Sequence, residues 1–188
     1  MPKIVTETHF DGVQRKIERL GLSQVMAELR HIVTGWDLRI CEERAANGAA
    51  AIRKLIDGRF EQANNAIDNP EERWKKRTAG GIDYVRCIIR EESKVCIGVE
   101  VQVSARSDLV AVDLLHFNKS LREGDIDLGV LIVPSDRLAK FLPDRCPSVS
   151  EAERMLDMFD ANRIPLVFWG IEHDGPGDAL KVLGRETS

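Results

Sequence analysis

No stretch of this sequence is apolar for long enough to span a bilayer. Its opening residues, MPKIVTETHFDGVQRK, lack the apolar core of a secretory signal. A cytoplasmic location is therefore expected. Cysteine is scarce and scattered: Cys41, Cys87, Cys96 and Cys146 form no CxxC and have no paired histidines nearby. That spacing argues against zinc and makes reduced thiols the default. There is no Gly-rich phosphate loop and no GxSxG, so hydrolytic chemistry other than metal-assisted has no support. Internal repeats and low-complexity tracts are also missing. Positive charge is not in excess, with 27 Lys and Arg against 31 Asp and Glu, a net charge of −4. This balance argues mildly against a nucleic-acid partner, although a local basic surface can exist on an acidic protein.

What is present suits one domain of ordinary size in 188 residues. The first third, residues 1–60, reads as helical. Apolar residues at helical spacing predict helices over Val13–Leu20, over Gln24–Val33 behind Ser23, and over a long segment from Asp37 to Ile56 that Gly58 ends. A polar connection from Glu61 to Gly81 follows. Residues 82–171 then change character. Ile82–Arg90 and Val95–Val103 read as strands joined by the turn EESK, and LVAVDLLHFNKSL as a helix. DLGVLIVP has the nearly unbroken apolar run of a strand buried on both faces. Helices over Ser135–Phe141 and Ser150–Phe159 and a strand in PLVFWGI complete an α/β chain, a central mixed sheet flanked by helices.

One strand poses a chemical question. In IGVEVQV, Glu100 and Gln102 interrupt an apolar run two residues apart, so both point to one face. Pairing Arg90 with Val95 across the turn places Asp83 opposite Gln102 and Val85 opposite Glu100, with Asp83, Glu100 and Gln102 on the same face. Two carboxylates at that separation repel unless a cation lies between them. Carboxylates with a backbone carbonyl, here that of Val101, form a ligand set for Mg²⁺. A solvent-facing polar surface of an edge hairpin accounts for the same spacing, and both readings stand at this point.

The ordered series GIDY, a turn, GVEVQV, a helix and GVLIV resembles the PD-(D/E)XK nuclease fold. That family carries an acid on one strand and acid-x-Lys on its hairpin partner. Asp83 and Glu100 match the acids, and Gln102 stands where the Lys is usual. EVQVSARSDLVAVDLLHF, GDIDLGVLIVPSDRLAKFLPDR, NGAAAIRKLID and IEHDGPGDAL are similar to the BglII/BamHI-like type II restriction endonucleases, a branch that tolerates Gln or Glu at the third position. The resemblance implies a restriction-endonuclease-like core and a single nuclease domain over residues 1–188. It also implies Mg²⁺-dependent cleavage of double-stranded DNA at a short palindrome, by a homodimer. Asp83, Glu100 and the Val101 carbonyl would hold the metal, and Gln102 would orient a water or a ligand without the charge of a Lys. A helix before the sheet can add a polar residue, for which Glu43 and Asn47 are candidates. A repair or structure-specific nuclease, and a DNA-binding protein that no longer cuts, are the rival readings.

Other residues carry two readings each. Arg73, Lys75, Lys76 and Arg77 in RWKKR suit phosphate contacts, or a solvated loop with Trp74 in the core. Ser104 and Arg106 follow the catalytic strand where a loop meets a helix, a place to bind phosphate or read a base, while Ser107 and Asp108 suit capping. Arg122, Arg137 and Arg145 are further DNA-contact candidates. His173 and Asp174 in EHDGPG suit another metal site or, as the two glycines and the proline favour, a turn, and His116 reads as a half-buried helix residue. The apolar stripe of the helix from Asp108 to Leu121 suits a dimer interface or the core equally.

Overall fold

The computed structural model describes residues 1–76, 81–91, 93–103, 108–143 and 145–180. In chain order the elements are β1 (Lys3–His9), α1 (Val13–Arg19), α2 (Ser23–Thr34), β2 (Arg39–Ile40), α3 (Ala49–Asn65), β3 (Lys75–Lys76) and β4 (Tyr84–Ile89). They continue with β5 (Lys94–Val101), α4 (Leu109–Glu123), β6 (Leu128–Pro134), α5 (Asp136–Ala139), α6 (Val149–Met158), β7 (Leu166–Glu172) and β8 (Gly175–Pro176). Six strands form a mixed sheet in the order β1-β7-β6-β5-β4-β3, and β2 pairs with β8 in a small parallel ribbon. The expected α/β class with a central mixed sheet and flanking helices is what the chain adopts. Among the described residues no helix is long and apolar enough to cross a membrane.

Strand periodicity distributes the core between the two faces of this sheet. Val95, Ile97, Val99 and Val101 of β5 pack with Leu29, Ile52, Ile56 and Phe60 of α2 and α3 on one face. The opposite face packs Leu131, Val133 and Phe168 against Val110, Leu114 and Phe117 of α4 and Ala152 and Leu156 of α6. Consequently Glu100 and Gln102, which alternate with Val99 and Val101, belong to the α4 face. β6 is buried along its whole length, as its unbroken apolar run predicts. At α6, Ser148 and Glu151 cap the helix reciprocally, the Glu151 carboxylate accepting from the Ser148 N–H at 3.0 Å.

Four expectations are corrected. The N-terminal third is not wholly helical: KIVTETH forms the edge strand β1, antiparallel to β7, with half-buried Ile4, Thr6 and Thr8 alternating with exposed residues. The first part of the helix expected over Asp37–Ile56 is replaced by β2 and a loop, in which Ala45 takes φ 55°. The helix begins only after Gly48, then runs through Gly58, because Ile52, Ile56 and Phe60 recur every four residues on its buried face. The β4–β5 turn is tighter than four residues, with Arg90 N–H donating to the Ser93 carbonyl at 2.8 Å. This moves the register by two residues, so that Tyr84 faces Val99 and Cys87 faces Cys96. The last pair is joined as a disulfide, which overturns the expectation of reduced thiols for those two cysteines, while Cys41 and Cys146 are free.

The same loop reassigns Asn47. It is buried and does not lie a helical turn from Glu43. Its side chain accepts from Cys41 N–H at 3.1 Å and Leu180 N–H at 3.2 Å, and donates to the carbonyls of Cys41 at 2.7 Å and Phe141 at 3.0 Å. Four backbone groups from three segments are satisfied by one amide. Asn47→Ala is expected to cost about 2–4 kcal/mol, since each buried group left unpaired costs roughly 1–3 kcal/mol less whatever water recovers. A thermal unfolding curve checks this, and an unchanged midpoint would refute the assignment.

Candidate active site

The site forms where β5 ends and the chain enters β4. Asp83 lies one residue before β4, and its N–H donates to Glu100 Oε2 at 3.3 Å. Its carboxylate Oδ2 accepts from Val101 N–H at 2.9 Å. The two-residue register shift moves every pair but flips no side chain, because faces alternate with period two. Asp83 and Glu100 are therefore neighbours at the strand ends, with Gln102 just beyond β5. Glu100 and Gln102 are both buried.

Residues outside the expected set complete the surroundings. Arg53 of α3 spans Asp83, Nη2 lying 2.8 Å from Oδ1 and Nη1 2.9 Å from Oδ2, and Nη1 also donates to the Val101 carbonyl at 2.9 Å. Its Nε donates to Asp57 at 2.8 Å, and Asp57 in turn pairs with Lys76 at 2.6 Å and accepts from the Tyr84 hydroxyl. Despite its burial, these two carboxylates hold Arg53 firmly protonated. On the other side, Asp113 of α4 is buried and accepts from Gln102 Nε2 at 2.8 Å. His116, one turn further along α4, brings Nδ1 to 3.3 Å from Glu100 Oε1.

The charge balance on the α4 side is unfavourable. Burial foremost, then the charges of Asp113 and Asp83, push Glu100 well above the usual carboxylate range. Burial and the charge of Asp83 push Asp113 up as well. Two buried acids facing one another on this scale are stabilised by a bound cation. One donor atom each from Glu100, Asp113 and His116 lie within 4.8 Å of one another, a spacing that suits a metal ion. The Asp83 and Glu100 carboxylates with the Val101 carbonyl offer the all-oxygen donors that Mg²⁺ prefers. The residues present fit a divalent cation.

The remaining expected residues are scattered. Glu43 is exposed in the loop after β2, so the helical spacing that would pair it with Asn47 does not exist. Arg73, Lys75 and Lys76 are exposed along the β3 edge, and Arg73 donates to the Ile67 carbonyl at 3.1 Å. Trp74 between them is buried, its ring nitrogen donating to Glu28 at 2.9 Å, as the core reading of that residue has it. Arg77, Ser104, Arg106 and Ser107 lie outside the described residues, and Asp108 occupies the N-cap position of α4. Arg122 and Arg145 are exposed, while Arg137 pairs with Glu42 at 2.7 Å. His116 is half-buried as expected. His173 is fully buried at the end of β7 between Glu42 and Glu172, and Asp174 accepts from Leu38 N–H at 2.7 Å before the β8 ribbon.

Comparison with known proteins converges on one group. Residues 8–171 match the family described as Restriction endonuclease BglII/BglIII. The chain is also similar to the type II restriction enzyme BamHI of Bacillus amyloliquefaciens, 23% identical over 149 residues, covering 76% of this chain and 67% of that enzyme.

Proposed function

Because the chain belongs to the BglII/BglIII restriction endonuclease family, we propose that it is a Mg²⁺-dependent type II endonuclease hydrolysing double-stranded DNA at a short palindromic site. The observation that carries this reading is the meeting of Asp83, Glu100 and Val101 at the ends of β4 and β5, where Asp83 N–H donates to Glu100 at 3.3 Å and the Asp83 carboxylate accepts from the Val101 N–H at 2.9 Å. A bound Mg²⁺ would lower the pKa of a water and neutralise charge on the scissile phosphate.

The chain's own groups prepare the place. The Arg53 guanidinium satisfies Asp83 and the Val101 carbonyl and keeps those acceptors in position. A DNA phosphate would offer Arg53 an alternative anion, and Asp83 and the Val101 carbonyl would then be the groups that hold the metal. Asp113 anchors the amide nitrogen of Gln102, so that the Gln102 carbonyl oxygen is the atom that would accept from the attacking water. Gln102 orients that water but takes no proton from it. Exposed Lys75, Lys76 and Arg73 supply phosphate contacts beside the site, with Arg77, Ser104 and Arg106 the further candidates. Glu43 stays a more distant candidate, reached only through its loop.

Two-fold assembly matches a palindrome, because each copy then presents one site to one strand. On α4, Leu109, Val112 and Leu115 are 36%, 38% and 55% exposed at intervals of three residues, an apolar ridge facing outward. Leu115→Arg is expected to shift the chain to a monomer in sedimentation and to reduce cleavage with it; a dimer unaffected by that charge would place the interface elsewhere.

The decisive experiment is plasmid cleavage with Mg²⁺ and with EDTA. Discrete Mg²⁺-dependent fragments support the proposal. Cutting confined to branched or damaged substrates would replace it with a repair role. DNA binding without cleavage across metals and methylation states would replace it with a binding protein, the reading that Gln102 in the Lys position favours.

A further inference from the structure

We propose that Glu100, Asp113 and His116 form a metal site of their own on the α4 side of the sheet, selective for a divalent transition ion such as Mn²⁺ over Mg²⁺ and filled in the DNA-free chain. The inference builds on the active-site reading above, with which it shares Glu100.

Three observations carry it. First, the ligand atoms are assembled by rigid elements. Asp113 and His116 are three residues apart on α4, so both face β5, and their donor atoms and that of Glu100 lie within 4.8 Å of one another. Ligands about 2.1 Å from an octahedral ion lie roughly 3–4.2 Å apart, so a small closure suffices. Second, the neighbouring oxygen site is already occupied by a protein cation. Arg53 takes both Asp83 oxygens and the Val101 carbonyl at 2.8–2.9 Å. Among the described residues no Lys or Arg forms an ion pair with Glu100 or Asp113, and only the His116 imidazole does so, with Glu100 at 3.3 Å. Among the described residues the carboxylates of the site without a Lys or Arg ion pair are thus on the α4 side, where burial and the charges of Asp113 and Asp83 raise Glu100, and burial and the charge of Asp83 raise Asp113. Third, the chain makes room for the imidazole. A Cβ on Gly81 would meet His116 Nε2 at 2.8 Å, so the backbone at Gly81, held at φ +86°, passes directly against the ring.

The donor chemistry sets the selectivity. Carboxylates alone accept Mg²⁺ and Ca²⁺ readily, whereas an imidazole nitrogen favours later first-row ions, with Mn²⁺ tolerant of both. His116 keeps about a third of its side chain accessible, leaving a path for the ion and for its water ligands.

The test uses the full DNA-free chain and Mn²⁺. Free Mn²⁺ is followed by electron paramagnetic resonance, and electron spin echo modulation of the loaded protein reads directly coordinated ¹⁴N. The expected result is Mn²⁺ bound at least about tenfold more tightly than Mg²⁺, with nitrogen modulation in the wild type. His116→Gln should remove that modulation and weaken Mn²⁺ about tenfold or more, while Asp83→Asn, which changes the neighbouring oxygen site, keeps the nitrogen modulation. Mn²⁺ binding without nitrogen modulation in the wild type would overturn the proposal, as would loss of binding in Asp83→Asn with retention in His116→Gln. An imidazolium that merely pairs with Glu100 gives the former outcome. The wild-type measurement does not depend on any variant folding. A chain that binds Mn²⁺ through nitrogen but never cuts DNA would leave this inference standing and remove the endonuclease reading, so the two fail separately.

Discussion

Asp83→Asn is expected to lower Mg²⁺-dependent cleavage by at least about 10²-fold while leaving DNA binding largely intact, the scale on which a single electrostatic group at a reaction centre acts. The geometry makes this variant unusually informative. Each carboxylate oxygen of Asp83 accepts a bond, Oδ1 from Arg53 and Oδ2 from both Arg53 and Val101 N–H. An Asn keeps the shape, and its one oxygen can still receive the Val101 N–H. Its NH₂ then faces the Arg53 guanidinium, donor against donor, and a metal ligand with its charge is gone. Arg53, which is only 19% exposed along its side chain, also loses half of its counter-charge. Some loss of stability follows, because breaking a partly buried ion pair leaves the other charge uncompensated. Binding to DNA, measured on the same preparation, separates a folded protein without chemistry from an unfolded one. Cleavage at the wild-type rate would remove Asp83 from the site.

The features of this site were unequally visible in the sequence. Glu100 and Gln102 stand out because a period-two apolar strand makes any polar intrusion conspicuous, and Asp83 is tied to them by the hairpin. That inference survives a register off by two residues, since such a shift preserves the face of every side chain. The Cys87–Cys96 pairing does not survive it, because which residues sit directly opposite depends on the turn closing at Ser93. Periodicity fails differently in the first third. KIVTETH alternates Ile4, Thr6 and Thr8 with Lys3, Val5, Glu7 and His9, too weak an apolar–polar pattern to mark a strand, and pairing with the buried strand β7 makes it one. Asp113 carried an unused signal, as it falls on the Val110–Leu114–Phe117 stripe where a solvated acid has no place. Arg53 carried none. Its position among the exposed-looking residues of α3 becomes meaningful only when tertiary packing delivers Asp83 and the Val101 carbonyl to it.

Glu100→Gln is expected to move activity and stability in opposite directions. It removes a proposed metal ligand, so cleavage should fall by at least about 10²-fold. It also removes a buried charge that the ion-free fold tolerates poorly. Burial, Asp113 and Asp83 raise the Glu100 carboxyl in the folded chain, and Asp113 is raised as well. A folded state with raised carboxyl pKa values binds more protons than the unfolded chain once pH passes the ordinary carboxylate range. Stability must then decrease as pH rises above that range. The lowered carboxyls have the opposite sign. Glu7, held down by Arg30 and Trp169 against its burial, and Asp57, held down by Lys76, Tyr84 and Arg53 against its burial, contribute stability that is lost as pH falls below the same range. The two effects occupy different windows and can be separated by titration. The wild-type chain in EDTA should therefore melt at lower temperature at pH 8 than at pH 6. Glu100→Gln should flatten that slope and melt about 5 °C higher than wild type at pH 8, given roughly 2–4 °C per kcal/mol for a chain of this size. A divalent ion should raise the wild-type midpoint towards that of the variant and leave the variant nearly unmoved. A variant that melts below wild type at pH 8, or a wild type that gains stability from pH 6 to pH 8 in EDTA, would contradict the electrostatic account. The outcome expected here marks Glu100 as a residue kept for its chemistry at the expense of the fold.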